Sequence, residues 1–379
     1  MLFELFFQLK DVFGPFNVFR YVSFRVMASM GTALLICLFA YPWFIRQLQG
    51  REIGEVIRED NPDAHDSKEG TPTMGGVLIL FSVVTSTVLW ADLENPYVGV
   101  ILGITVLFAS IGYIDDYHKI AGAGDEGLSG RARLGMEFAV AGAAMWVVFF
   151  SGVCDYSSVL YFPFVSTERF SLTLPIWIYL PFALITVVGT ANAVNITDGL
   201  DGLAIGPVIV SVGAFLILSY ITGSTLHFET VVDGSVQILE FDLAEYLMIP
   251  KVEGVQELAI FCASIIGAGV GFLWYNSFPA QIFMGDVGSL SLGGALGGLA
   301  VVTKHELLSI IIFGIFVVEA VSVIMQTISY KLTGERVFRM APIHHHFEMK
   351  GWPEPKIIVR FWIVSIMLAL VALSSLKLR

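Results

Sequence analysis

The feature that most constrains this chain is a series of ten apolar runs, each close to the length that crosses a lipid bilayer. A membrane-spanning helix needs roughly 20 mostly apolar residues. The predicted spans, of which the eighth is short and rich in glycine, are 22–45, 74–91, 96–114, 134–152, 174–192, 203–222, 258–275, 287–303, 307–329 and 357–376. Only 14% of the residues are charged, too few for a water-soluble surface. The pattern predicts an all-α integral membrane protein with about ten transmembrane helices.

The loops between these runs predict the orientation. The odd-numbered loops hold twelve Lys and Arg residues and the even-numbered loops hold three. Positive charge is retained on the cytoplasmic side of a membrane, so the odd loops are predicted to be cytoplasmic and both termini periplasmic. We expect a single membrane-embedded domain over 1–379, with an interfacial helix over 1–19. The net charge of −12, without a basic patch, gives no sign of a nucleic-acid partner.

Five segments are unusually polar or glycine-rich for their position, and all five fall in odd loops. They are KEGTPTMGG (68–76), IDDYHK (114–119), NAVNITDGLDG (192–202), NSFPAQIFMGDVGS (276–289) and APIHHHFEMKGWPEP (341–355). Segments that share one side of the membrane can converge on one surface. The sequence therefore predicts a functional site at the cytoplasmic edge of the bilayer.

Asp115 and Asp116 end the third apolar run, and Lys119 follows one helical turn later. An acidic pair at a helix C-terminus opposes the helix dipole, so it is a poor structural choice. Two close carboxylates favour a cation or a shared proton. Mg²⁺ is commonly held by one or two carboxylates together with substrate phosphates. The alternative interpretation is a pair of ordinary interfacial charges.

The third polar segment places Asn192, Asn195, Asp198 and Asp201 three residues apart. If the segment is helical, these side chains share one face. A helix cap followed by a glycine-rich turn is the alternative, but a cap explains one Asp and not all four polar residues.

The last two polar segments carry further candidates. Asp286 lies between Gly285 and Gly288, where the backbone can approach a ligand closely, although a tight turn is the alternative. The imidazoles of His344, His345 and His346 suit contacts to phosphate better than a metal site, because three consecutive residues rarely coordinate one ion. A solvated loop is the other interpretation.

Two glutamates lie within predicted spans. Glu319 is either functional, as charges inside membranes generally are, or a structural hydrogen-bonding group. Glu137 lies near the start of the fourth span and is interpreted as having no functional role.

Paired carboxylates, glycine-rich turns, lysines and imidazoles together suit phosphate chemistry with Mg²⁺. The chain has no Walker A loop, no protein-kinase motif set and no HExxH zinc motif. Because the site is predicted at the lipid interface, we expect a lipid phosphate and a soluble phosphate compound as substrates.

At this level of detail the chain resembles a known family. The stretches GYIDDYHK, NAVNITDGLDGLAIGP, PAQIFMGDVGSLSLGG and MAPIHHHFEMKGWPEPKIIVRFWI are similar to those of the phospho-N-acetylmuramoyl-pentapeptide transferases, within the polyprenyl-phosphate N-acetylhexosamine-1-phosphate transferase superfamily. The resemblance runs from GTPTMGG to the last apolar run. It implies ten transmembrane helices in a bacterial inner (plasma) membrane, with the active site on the cytoplasmic face. The implied reaction transfers phospho-MurNAc-pentapeptide from UDP-MurNAc-pentapeptide to undecaprenyl phosphate with Mg²⁺, giving lipid I and UMP, the first membrane step of peptidoglycan synthesis. Such enzymes are often homodimers, although the sequence leaves the oligomeric state open.

The resemblance also implies roles for individual residues. Asp286 resembles the principal Mg²⁺ ligand, Asp115 the residue that deprotonates the lipid phosphate, and Asp116 a neighbour close to the metal. Asp198 would support the catalytic centre and His344 would contact the phosphates. The uridine pocket would comprise Asp201, Asn276 and Phe283, whose ring would stack on uracil. Further substrate-binding positions would be Lys68, Thr73, Lys119, Asn192, Asn195, His345 and His346.

Some alternatives remain open at this stage. A direct attack by the lipid phosphate would make Asp115 a base, and a two-step route would make an Asp a covalent nucleophile. A sister enzyme that transfers GlcNAc-1-phosphate is disfavoured by the triple-His segment. An ion-coupled transporter is disfavoured because the carboxylates lie at helix ends and no internal repeat is visible. The chain also departs from the family at Arg133 and Glu137, where a Lys and a Gln are common.

Overall fold

The computed structural model describes residues 2–50, 70–120, 127–154, 156–232 and 235–378. The α-helices are α1 Leu2–Gln8, α2 Val22–Gln49, α3 Gly76–Trp90, α4 Pro96–Ile120, α5 Gly130–Phe150, α6 Ile176–Thr197, α7 Ile205–Gly223, α8 Leu243–Leu247, α9 Leu258–Asn276, α10 Gly285–Val302, α11 Glu306–Ile312, α12 Gly314–Thr333, α13 Ile343–Glu348 and α14 Glu354–Ser374. Short 3-10 helices cover Leu9–Asp11, Gly14–Arg20 and Val255–Glu257. The strands are β1 Val159–Tyr161, β2 Ser171–Thr173, β3 Thr225–Val232 and β4 Ser235–Asp242.

The helices confirm the predicted membrane architecture. Among the described residues, nine helices are long and apolar enough to cross a bilayer, and a tenth apolar helix, α3, is shorter. With 15 residues, α3 is about 22 Å long at 1.5 Å per residue. All ten predicted spans are therefore helical, and the chain is an all-α integral membrane protein. The orientation of the termini and the interfacial position of residues 1–19 stay predictions.

Several predicted boundaries were wrong. Helix α4 continues from the predicted end at 114 to Ile120. This extension is stabilised by an ion pair between Asp115 and Lys119, four residues apart with the acid first, the favourable order on a helix. The ninth predicted span, 307–329, is two helices, α11 and α12, which meet at Phe313.

The only strands among the described residues form two antiparallel hairpins. In the first, Leu160 is paired with Leu172. In the second, between α7 and α8, Thr225 is paired with Asp242. Both lie in even-numbered loops, and neither was predicted from the sequence.

Helix α10 forms the centre of the bundle, and sixteen of its eighteen residues are buried. It packs between α4 and α6, and glycines make this possible. A methyl group on Gly293 would lie 2.6 Å from Cα of Ala191 on α6, and one on Gly294 would lie 2.9 Å from the ring of Phe108 on α4. Because α10 touches both neighbours so closely, the ends of these three helices have fixed relative positions.

Candidate active site

The C-terminal end of α4 meets the N-terminal end of α10. A methyl group on Gly112 would lie 2.2 Å from the backbone oxygen of Asp286, so only glycine permits this approach. The contact brings Asp115 and Asp116, on the last turns of α4, next to Asp286 on the first turn of α10. Three carboxylates from distant parts of the sequence therefore form one cluster.

The ammonium group of Lys119 lies between these carboxylates. Its Nζ is 2.6 Å from Oδ2 of Asp286, 2.9 Å from Oδ2 of Asp115 and 4.0 Å from Oδ1 of Asp116. Asp115 also accepts a hydrogen bond of 2.7 Å from the backbone N–H of Leu128. The cluster is thus a place where several oxygens converge on one positive charge.

Asp116 has a different environment from Asp115. It is buried, and its two oxygens accept the backbone N–H groups of Asp286 and Val287, each at 3.2 Å. Asp116 therefore caps the N-terminus of α10, where the helix dipole favours a negative charge. Its predicted role as a metal ligand stays a prediction.

Thr73 lies beside the same helix start. A methyl group on Gly285 would lie 2.7 Å from Oδ2 of Asp116 and 3.2 Å from Oγ1 of Thr73. Gly285 also has a φ of +74°, a conformation that favours glycine. The predicted substrate-binding position Thr73 is therefore next to the carboxylate cluster, whereas Lys68 lies outside the described residues.

Helix α6 contributes two asparagines to the site. Asn195 donates hydrogen bonds to Oδ1 of Asp286 at 2.5 Å and to Oγ of Ser289 at 2.9 Å. Asn192, one turn earlier, contacts Arg133 and Glu137 on α5. The predicted common helical face is confirmed for these two asparagines.

The same prediction was wrong for Asp198 and Asp201. Helix α6 ends at Thr197, so Asp198 is its C-cap and Asp201 lies in the following turn. Asp201 is buried, and its Oδ2 accepts the backbone N–H of Ala280 at 2.9 Å. Its own N–H binds Glu354 at 3.0 Å, a contact that the sequence did not reveal.

The loop before α10 carries the predicted uridine-pocket residues. Asn276 accepts the N–H of Gly202 at 2.9 Å and donates to the carbonyl of Ile282 at 2.8 Å. Phe283 is half-buried, and its N–H binds the carbonyl of Pro72 at 2.8 Å. Asn276 and Asp201 thus fix the loop that presents the Phe283 ring.

The three histidines lie on α13 and have separate partners. His344 is buried, with Nδ1 3.1 Å from Oε1 of Glu319. Its Nε2 faces Gly199, where a methyl group would lie 2.5 Å away. The imidazole of His344 therefore packs against the turn that follows Asp198.

His345 and His346 point elsewhere. Nδ1 of His345 is 2.6 Å from Oε2 of Glu348, and Nδ1 of His346 accepts the N–H of Arg339 at 3.1 Å. Partial burial, with Lys350 and Arg339 nearby, lowers the pKa of His346, which agrees with an unprotonated acceptor nitrogen. These contacts lie on α13 and on the segment before it, and the predicted substrate contacts of His345 and His346 stay predictions.

Two residues of α5, Arg133 and Glu137, also lie close to the site. Glu137 is fully buried and accepts a hydrogen bond from Asn192, so it lies against a residue of the predicted site. Arg133 approaches Asp115 and Asp286 to 3.7 and 3.8 Å. For Glu137, the sequence signal was a charge inside an apolar span, the same signal that drew attention to Glu319.

The donor set can be compared with the needs of a metal ion. No three His, Cys, Asp or Glu side chains in the described ranges have the arrangement of a complete protein metal site. Mg²⁺ does not need one, because it usually keeps several waters and takes one or two carboxylates plus phosphate oxygens. Asp115 and Asp286 supply such oxygens on either side of a bound ammonium, so the residues present fit Mg²⁺.

The described parts of the five polar segments meet at one end of the bundle, as predicted. They supply the start of α3, the ends of α4 and α6, the start of α10 and helix α13. A cluster of carboxylates and a lysine at the end of a bundle of membrane helices suits the class of membrane-embedded transferases of phosphorylated groups.

Comparison with known proteins agrees with this class. Residues 98–304 match Glycosyl transferase family 4, and residues 68–80 match the Phospho-N-acetylmuramoyl-pentapeptide-transferase signature 1. Relatives of that name from Sorangium cellulosum, Syntrophus aciditrophicus and Pelobacter propionicus are 52%, 51% and 49% identical, in each case over 100% of both chains. The chain belongs to the phospho-N-acetylmuramoyl-pentapeptide-transferase family.

Proposed function

We propose that this chain transfers phospho-MurNAc-pentapeptide from UDP-MurNAc-pentapeptide to undecaprenyl phosphate, producing lipid I and UMP. The observation that carries the proposal is the convergence of Asp115, Asp286 and Lys119 at the junction of two membrane-spanning helices. There a lipid phosphate at the bilayer surface and a soluble nucleotide can reach the same charged groups. The family relationship supports the identity of the transferred sugar.

The reaction follows a direct displacement. An oxygen of the lipid phosphate attacks the sugar-bearing phosphorus of the donor, the bond to the bridging oxygen breaks, and UMP leaves with the electron pair of that bond. Asp115 takes the proton of the attacking phosphate, and Lys119 and the N–H of Leu128 fix the position of its carboxylate for this role. Two phosphate substrates that meet at one cluster need no covalent enzyme intermediate.

Lys119 contacts the transferring phosphate, and its positive charge is matched to the negative charge that develops there. Asp286, with Asp115 beside it, would hold Mg²⁺, and the ion would neutralise phosphate oxygens during the transfer. Asn195 fixes the orientation of Asp286. His344 contacts the phosphates from the Asp198 side, and Phe283 stacks on uracil.

The active site faces the cytoplasm of a bacterial inner membrane. The excess of Lys and Arg in the loops on the site's side supports this orientation. It also agrees with a donor that is a soluble nucleotide.

The test is UMP release by the purified protein in detergent with both substrates, in the presence and absence of Mg²⁺. We expect release only with donor, acceptor and metal together, and a loss of roughly 100-fold or more in the Asp286→Asn variant. Release from UDP-GlcNAc instead would assign the chain to the sister reaction. No release with either donor from folded protein would refute the transferase assignment.

A further inference from the structure

Arg133 on α5 lies at the edge of the carboxylate cluster. Its Nη1 is 3.7 Å from Oδ2 of Asp115 and 3.8 Å from Oδ2 of Asp286, the two carboxylates that Lys119 also contacts. These distances allow electrostatic attraction but are too long for hydrogen bonds. The Arg133 side chain is 24% exposed, so it is only partly covered beside the cluster.

Behind Arg133 lies the fully buried carboxylate of Glu137. Oε1 of Glu137 is 3.6 Å from Nε of Arg133, and neither atom has a hydrogen-bond partner. Asn192 connects the two side chains, because its Oδ1 accepts from Nη2 of Arg133 at 3.3 Å and its Nδ2 donates to Oε2 of Glu137. The carboxylate of Glu137 and the side-chain amide of Asn192 thus both contribute to the position of Arg133.

This arrangement is a poor choice for stability alone. A positive charge in the first turns of a helix opposes the helix dipole. An Arg followed four residues later by a Glu is also the weaker order for a helical ion pair. Buried ion pairs are commonly replaced by apolar side chains without loss of stability. A buried Glu that faces an Arg beside three carboxylates therefore indicates a role in function.

We propose that Glu137 positions Arg133 so that its guanidinium group binds a phosphate of one of the two substrates. The planar guanidinium matches two phosphate oxygens at once, which a lysine ammonium cannot do. With Lys119 it gives the cluster two cations, suited to a reaction in which two phosphates meet. The proposal rests on the proposed transferase function, and the phosphate belongs either to the polyprenyl acceptor or to the nucleotide donor.

The first experiment measures equilibrium binding of each substrate alone, so that no turnover occurs. Arg133→Met is compared with Arg131→Met, a matched control because Arg131 is exposed on the same turn of α5. We expect Arg133→Met to weaken one substrate by roughly 10- to 100-fold, the size of a lost charge-assisted contact, and Arg131→Met to have little effect. Weaker binding of undecaprenyl phosphate assigns the acceptor, and weaker binding of UDP-MurNAc-pentapeptide assigns the donor.

The second experiment tests the positioning role of Glu137. Glu137→Gln keeps a group that can accept from Asn192 but removes the charge that faces Arg133. We expect it to weaken the same substrate as Arg133→Met, and to add nothing in the Arg133→Met background, because coupled residues are not additive. In steady state, the KM of that substrate rises more than kcat falls, whereas a structural defect would lower the melting temperature and affect both substrates.

The outcomes separate this proposal from the proposed function. If the wild type releases UMP and Arg133→Met binds both substrates as Arg131→Met does, the phosphate-binding role of Arg133 is excluded while the transferase stands. If Glu137→Gln and Arg133→Met have independent, additive effects on affinity, Glu137 does not act through Arg133. Should Arg133→Met fold poorly, Arg133→Lys keeps the charge without the planar fork and is expected to retain part of the affinity.

Discussion

The Glu319 carboxylate contacts the side chain of His344 and accepts the backbone N–H of Ile343, the residue before it. Its Oε1 lies 3.1 Å from Nδ1 of His344, and its Oε2 accepts the N–H of Ile343 at 2.9 Å. A carboxylate partner favours the proton on Nδ1, which leaves Nε2 to face the turn at Gly199. Of the two interpretations that the sequence left open for Glu319, this geometry favours an orienting role for a site residue.

Replacing Glu319 with Gln is therefore expected to reduce kcat/KM for UMP release by roughly 10- to 100-fold, the usual effect of losing a partner that orients a functional imidazole. Glu335→Gln is the control, because Glu335 is exposed on the following loop. The measurement is steady-state kinetics with the melting temperature recorded alongside. Full activity in a normally folded Glu319→Gln protein would contradict the orienting role.

The approach of α4 to α10 can be tested at Gly112. A methyl group there would lie 2.2 Å from the backbone oxygen of Asp286, whereas one on Gly103 of the same helix meets nothing within 4 Å. Gly112→Ala is expected to separate the two helix ends and to lower activity at least roughly 10-fold, since small misplacements of catalytic groups have large effects. Gly103→Ala should leave activity unchanged and stabilise by about 0.5–1 kcal/mol, as Ala does in helices. Equal effects of the two substitutions on UMP release would be inconsistent with the close contact.

The loop before α10 depends on Asp201. Its carboxylate accepts the N–H of Ala280, and no alanine side chain can replace that acceptor. Asp201→Ala is expected to loosen the loop that carries Phe283, with a cost of about 1 kcal/mol for the lost, partly buried hydrogen bond. The KM for the UDP-linked donor should rise roughly 10-fold or more, and the KM for the lipid should change little. A variant that raises both KM values equally would argue against a donor-specific pocket.

A buried lysine and a buried glutamate at the opposite end of the bundle make stability depend on pH. Lys304 lies near Glu306, which accepts a hydrogen bond from Tyr179, and both charged residues are outside the nine spans. Burial raises the pKa of Glu306 to about 7 from its model-peptide value of 4.5, and burial lowers the pKa of Lys304 to about 8. Between about pH 5 and pH 7, Glu306 is thus the member of the pair whose protonation differs between folded and unfolded protein.

Because the folded-state pKa of Glu306 is raised, its contribution to stability is complete below its unfolded pKa and is lost as the pH rises through about 7. The melting temperature of the wild type in detergent should therefore fall from pH 5 to pH 7 relative to that of Glu306→Gln. The melting curves of both proteins, recorded in one buffer series, provide the measurement. A difference that is constant or grows with pH would show that this carboxyl is not protonated in the folded protein.

Much of the fold was accessible from the sequence, because ten apolar runs of sufficient length leave a chain few alternatives to a helical bundle. The helix ends were less accessible. Helix α4 continues past Asp116, and an ion pair between Asp115 and Lys119 stabilises this extension. Helix α6 stops at Thr197, so Asp198 and Asp201 do not lie on the helical face that carries Asn195. Such boundaries depend on single local contacts that hydropathy does not record.

The site was predictable where chemistry stands out against an apolar background. Asp115, Asp286 and Lys119 are charges at the ends of membrane helices, and they do meet. The partnership of Glu137 with Arg133 was not predictable, because the sequence does not show that Asn192 of another helix lies between them. The use of Asp116 as a cap for α10 likewise depends on a contact between residues 170 positions apart.

The glycine contacts of α10 have a consequence for how this enzyme can vary. Backbone contacts fix the positions of its neighbours. Gly293 of α10 lies against the backbone of α6, and Gly112 of α4 lies against the backbone of α10. Lipid-facing positions such as Trp146 and Ile185 are exposed and take no part in these contacts. Substitutions at such positions can therefore adapt the outer surface to membranes of different composition and thickness without moving the carboxylate cluster.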